Sequence, residues 1–123
     1  MEPSFRMFRA PGVLRYEQEW LDEDGVYPTE AALEKISNWP YEEIPICFEF
    51  MKDIWEYSDM GFWEEEETED HLFQRPVHQY YISTGGWSGN ESIIHALEKN
   101  WIIWHTTWVQ SRRGGHYIFE RRT

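Results

Sequence analysis

The residues best suited to hold a ligand are Ser83, Thr84, Gly85, Gly86, Trp87, Ser88, Gly89 and Asn90. A run of strand formers from Val77 to Thr84 ends in paired glycines. Ser88-x-x-Glu91 then opens a stretch of helical period through Ile93, Ile94 and Leu97, with Ser88 as cap and Glu91 completing a capping box. Such a junction aims backbone N–H groups and the positive end of a helix dipole at one point, a cradle for an anion or polar group. The Ser83, Thr84 and Ser88 hydroxyls add hydrogen-bonding groups, and Trp87 adds an aromatic face. Further along, Arg112 and Arg113 offer guanidinium forks for carboxylate or phosphate, and His116 follows them. The plainer alternative is a tight turn in which the glycines only supply positive φ, and two arginines at a solvated tip.

Several chemistries do not fit. The glycine pattern is neither a phosphate-binding Gly-Lys-Ser/Thr loop nor the dinucleotide fingerprint. Gly86-Trp87-Ser88-Gly89-Asn90 fails the nucleophile elbow because Asn90 takes the last glycine position. His71, His78, His95, His105 and His116 show no metal-ligand spacing, so neither metal nor cofactor is expected. An enzyme using His105 or His116 with Glu91 ranks last, and no catalytic residue is assigned.

The elements that must position these residues read as an α+β fold. Two N-terminal helices are followed by β-α-β-β, with a small antiparallel sheet packed on helices. Thr29 caps the first helix, whose Leu33, Ile36 and Trp39 share a face before Pro40 ends it. The second runs from about Tyr41 to Asp59 with Pro45 in its first turn and Cys47, Phe48, Met51, Ile54 and Trp55 at helical spacing. The acidic run from Glu64 to Asp70 reads as a loop or fraying helix end, because its like charges sit side by side. Asn100 ends the third helix. Trp101 to Gln110 reads as a long strand with Trp104 and Trp108 on one face, Ser111 to Gly115 as a hairpin connection, and His116 to Arg121 as the returning strand, which would bring His105 near His116. Residues 1–123 are expected to be a single domain, with 1–26 a possible arm and 27–123 the compact core.

Charge divides the chain. Residues 1–76 carry 20 Asp/Glu against 6 Lys/Arg, whereas residues 77–123 carry 3 against 5. That field disfavours direct nucleic-acid contact over a screening length of roughly 8–10 Å and favours a basic protein surface. Glu64, Glu65, Glu66, Glu67, Glu69 and Asp70 are the expected partner-binding residues. Eight Trp supply apolar area for a core despite a mean hydropathy of −0.73. No apolar run is long enough to span a membrane, and no basic-then-apolar leader is evident. A lone Cys47 excludes an internal disulfide, so a reducing, cytoplasmic setting is expected. Exposed tryptophan leaves a homo-oligomer open.

Tyr27-Pro28-Thr29-Glu30, the Ser83 to Glu91 stretch and Ser111-Arg112-Arg113-Gly114-Gly115-His116-Tyr117 together resemble a group of small uncharacterised proteins often encoded by bacteriophages and prophages. The resemblance covers roughly residues 27–120 and implies a phage-like setting without a mechanism. Two functions follow. One is an acidic, inhibitor-like protein that binds a basic host protein surface stoichiometrically. The other is a module for a nucleotide or other small polar or anionic ligand, held by the glycine-rich junction with Arg112 and Arg113.

Overall fold

The computed structural model describes residues 19–69 and 75–122, so residues 1–18, Asp70 and His71 lie outside the described residues. The fold is α+β with an antiparallel sheet. In chain order the elements are α1 (Glu30–Ser37), a 3-10 turn (Tyr41–Glu43), α2 (Ile44–Ile54), the single turn α3 (Ser58–Gly61), β1 (Phe62–Glu69) and β2 (Pro76–Ser83). Then come α4 (Ser88–Lys99), α5 (Trp101–Thr107), β3 (Trp108–Arg112) and β4 (His116–Arg122). The strand order β1-β2-β4-β3 leaves β1 and β3 at the sheet edges.

Thr29 caps α1 by accepting from the Ala32 N–H at 3.2 Å. Ile36 is fully buried, and the core reaches back to Leu21, which bridges to Pro28. On α2, Phe48 stacks on Tyr80 of β2 at 4.1 Å and contacts Phe119 of β4 at 5.4 Å. This places the helices against the sheet face formed by Tyr80, Ile82 and Phe119. Side chains alternate along a strand, so the opposite face carries Trp63, Glu65, Gln79, Tyr81, Ser83, His116 and Ile118.

Three expectations are corrected. The helix expected over Tyr41 to Asp59 is broken at Trp55 and Tyr57, the latter in the left-handed region at φ 60°. Trp55 is buried and donates to the Ser83 carbonyl at 3.2 Å, while Glu56 is held at both its N–H and its carbonyl by the Asn90 side chain. These contacts take the chain off the helical path.

The described part of the acidic run, Glu64 to Glu69, is a strand, not a loop. Phe62 to Glu65 pair with Ile82 to Gln79, a bulge follows, and Thr68 and Glu69 pair with Val77 and Pro76. The sheet therefore has one more strand than β-α-β-β allows.

Trp101 to Thr107 is a helix, with only Trp108 onward extended. Asn100 accepts from the Ile103 N–H at 3.3 Å and donates to the Ile36 and Trp39 carbonyls, each at 3.0 Å. Ile103 and Thr107 are buried four residues apart, and Trp104 packs on Phe119 at 5.4 Å. Tertiary packing overrides the strand preference of these β-branched and aromatic residues. Trp104 and Trp108 do not share a strand face, although their rings stack at 6.3 Å.

Candidate functional site

The glycine-rich junction is first a turn. Gly85 and Gly86 have φ of 64° and 79°, and the Trp87 N–H closes on the Thr84 carbonyl at 3.1 Å. Positive φ at both central residues favours glycine there. Several amides are already engaged: Thr84 N–H donates to the Gly115 carbonyl at 3.0 Å, and Gly86 N–H to its neighbour Thr84 Oγ1 at 3.4 Å.

The α4 start is corrected by one residue. Trp87 is the N-cap, without a side-chain cap bond, and Ser88 is the first helical residue, so the Ser88–Glu91 capping box is not formed. Gly89 and Asn90 are buried. Gly89 lies under Tyr27 and Pro28, where a Cβ would come within 3.2 Å of the Pro28 ring. Asn90 cannot reach an outside ligand, because its amide holds Glu56 on both sides and donates to the Thr84 carbonyl at 3.2 Å. Gly85, Gly86, Trp87 and Ser88 are exposed, with Trp87 packed on Tyr57 at 5.4 Å.

The β3–β4 hairpin meets this junction. Gly114 and Gly115 take positive φ, and a Cβ on Gly115 would lie 2.3 Å from Thr84 Oγ1, so only glycine permits that approach. Register then sets Ser83, His116 and Arg112 in one row across β2, β4 and β3. Ser83 Oγ lies 2.6 Å from His116 Nδ1, and Arg112 Nε donates to Gln110 Oε1 at 3.0 Å. Arg113 is exposed on the turn itself. His105 is not near His116 on paired strands. It sits on α5, with Nδ1 3.0 Å from the Trp101 carbonyl and its ring edge-on to Trp101.

The acidic residues form a second constellation. Glu64, on the core-side row of β1, accepts from Lys52 Nζ at 3.3 Å and faces His78 Nε2 at 2.8 Å. Arg121 Nη2 approaches His78 Nδ1 at 3.2 Å. An arginine only donates, so Nδ1 is the acceptor and the ring proton sits on Nε2, directed at the Glu64 carboxylate. Arg121 Nε also donates to Tyr80 Oη at 2.9 Å. Burial pushes the Tyr80 hydroxyl above its ordinary range, and the Arg121 hydrogen bond and charge offset part of that rise. This chain of partners ties the edge strand to β2 and β4.

Glu65 lies on the other row, in line with Gln79, whereas Trp63 and Tyr81 face each other across β1 and β2. Tyr81 Oη donates to Gln79 Oε1 and reaches Glu65 Oε1 at 3.4 Å. Trp63 is 61% exposed and Tyr81 37%. With Glu64 and Glu65 they line a hollow of about 400 Å³. Glu66 and Glu69 are also exposed. Sequence reasoning missed both the His78–Arg121 network and this aromatic–acid hollow, because it left the acidic run without a strand partner.

A groove of about 410 Å³ between α1 and α4 is lined by surface residues including Glu30, Glu34, His95 and Lys99. His95 pairs with Glu98 at 3.5 Å. Among the described residues no group of three or more His, Cys, Asp or Glu is placed to hold a metal ion, and no helix is long and apolar enough to cross a membrane. No protein-family model matches the chain, and no curated protein or solved structure compared with it matches.

Proposed function

We propose that this chain is a small acidic binding protein, phage-derived, that occupies a basic host protein surface stoichiometrically in the manner of an inhibitor. The observation that carries this reading is the position of the acidic run. Its described part lies in β1, an edge strand of the sheet, where Glu65, Glu66 and Glu69 are exposed beside Trp63. Carboxylates on a rigid strand present a fixed field, which speeds encounter with a cationic surface and makes it salt-sensitive. Exposed aromatic residues alongside supply the contact area that charge alone lacks.

The test is capture of partners from bacterial lysate by the whole chain at low and high salt, beside a Glu65→Gln, Glu66→Gln, Glu69→Gln variant. A stoichiometric basic partner, lost at high salt and from the variant, is expected. Equal capture by both forms, or none at low salt, would refute the reading.

A second reading is favoured by one observation, the row Ser83–His116–Arg112 beside the exposed Gly85 and Gly86. There a small anion such as a nucleotide phosphate would meet a guanidinium, an imidazole and a hydroxyl. Tryptophan fluorescence during titration with a nucleotide panel tests it. A saturable change abolished by Arg112→Ala is expected, and flat traces would remove this reading.

A further inference from the structure

We propose that the outer edge of β1 takes an extended basic peptide segment as an added strand, with an arginine or lysine side chain of that segment seated in the hollow between Trp63, Tyr81, Glu64 and Glu65. This deepens the acidic-surface reading and rests on it.

Among the described residues β1 pairs only with β2, so its outer side carries backbone N–H and C=O groups in strand geometry. Such an edge is a template for a further strand, and side-chain pockets beside it select which one. Here the pocket is chemically specific. Trp63 and Tyr81 stand opposite one another on the exposed face, and the Trp63 indole is held by donation to the Met60 carbonyl at 3.3 Å. Glu65 lies within hydrogen-bonding reach of the Tyr81 hydroxyl. Aromatic faces with a carboxylate at the rim are what a guanidinium or ammonium group on an aliphatic stem requires: a cation–π contact, a charge partner and apolar area for the stem. The hollow, about 400 Å³, is roomy enough for such a side chain.

Charge complementarity decides the occupant. A second copy pairing edge to edge would bring Glu65 and Glu66 against like charges, and a polyanion would be repelled. An apolar strand would cover the exposed Glu65 and Glu66 without supplying a countercharge. Only a basic strand answers both the backbone and the side chains, so the glutamates that prevent self-pairing also select the guest. The bulge between Glu65 and Thr68 interrupts the regular register, which confines the added strand to the Phe62–Glu65 end where the hollow lies.

The experiment uses the whole chain and a labelled eight-residue peptide alternating arginine with valine, read by fluorescence anisotropy. One control peptide replaces arginine by neutral citrulline; another keeps the charge but carries N-methyl groups on alternate backbone amides. Saturable binding of the arginine peptide is expected, weakened tenfold or more by either replacement. Trp63→Ala should weaken it by about 5- to 30-fold, the worth of one cation–π contact, and Trp63→Phe should recover part of the loss.

Equal binding of the N-methylated peptide with no effect of Trp63→Ala would overturn strand addition, while leaving a purely electrostatic acidic surface standing. No preference for arginine over citrulline at low salt would overturn both. Should Trp63→Ala fail to fold, Glu65→Gln against the N-methylated pair carries the same decision.

Discussion

Gly115→Ala probes the contact on which the hairpin and the junction depend. Gly114 and Gly115 both hold positive φ, 93° and 80°. An alanine in the left-handed region costs about 1–2 kcal/mol at either position. Their surroundings differ. A Cβ at position 114 would lie 3.3 Å from His116 Nε2, the far end of an exposed ring, whereas at position 115 it would lie 2.3 Å from Oγ1 of buried Thr84. Relieving that overlap forces the hairpin or Thr84 to move, an overpacking cost of about 1–3 kcal/mol. Gly114→Ala should therefore lose about 1–2 kcal/mol and Gly115→Ala about 2–5 kcal/mol. In a chain of this length each kcal/mol moves Tm by about 4 °C, so the expected drops are about 4–8 °C and about 8–20 °C. Adding Thr84→Ala to Gly115→Ala removes the obstructing oxygen, so the pair should cost less than the sum of its parts. Calorimetry of the four proteins settles it. Equal drops for the two alanines, or strict additivity in the cycle, would refute the claim that glycine is needed at 115 for close approach.

Other consequences are equally direct. Asn90→Ala removes two hydrogen bonds to the Glu56 backbone and one to the Thr84 carbonyl, and should cost about 3 kcal/mol in urea unfolding at about 1 kcal/mol per bond. Asn100→Ala should cost a similar amount, since it strips the α5 cap and two carbonyl partners, and a loss below about 1 kcal/mol at either site would contradict the assigned role. Tyr80 holds its proton more tightly in the folded protein, chiefly through burial. Its contribution is thus complete below the ordinary tyrosine value of about 10 and is lost as pH rises through the higher folded value. Unfolding free energy should fall above about pH 10, less steeply in Tyr80→Phe; identical slopes in both proteins would sink the assignment. Burial pushes the Cys47 thiol up to about 12, so alkylation near neutral pH should be blocked in the native protein and proceed in urea, and rapid native labelling would contradict its placement.

Legibility in the sequence followed the source of each element's stability. Residues 88–99 and 76–83 declare themselves because their own apolar periods match their burial: Ile93, Ile94 and Leu97 inward on α4, Tyr80 and Ile82 inward on β2. Thr29 and the paired glycines were legible for the same local reason, being demanded by caps and turns. Residues 62–69 were not, since glutamate is a poor strand former and like charges repel. What holds them is supplied from elsewhere, by His78 and Lys52 on Glu64 and by pairing with β2. Residues 101–107 misled for the converse reason. Their types favour a strand, but Asn100, Ile103, Trp104 and Thr107 follow the helical period, and Asn100 anchors the turn to α1. In the candidate site, the glycines and Arg112 were visible. The register that lines up Ser83, His116 and Arg112, and the inward turn of Asn90, depend on distant pairing and had no local signal.

The claim on which the functional account turns is that β1 is where a basic partner sits. Backbone amide hydrogen exchange of the whole chain, with and without the arginine–valine peptide, addresses it strand by strand. The account predicts new protection within Phe62 to Glu65, with the β3–β4 turn and the start of α4 unchanged. Protection confined to Gly85 to Ser88 and Arg112 to His116, with β1 exchanging as before, would contradict it.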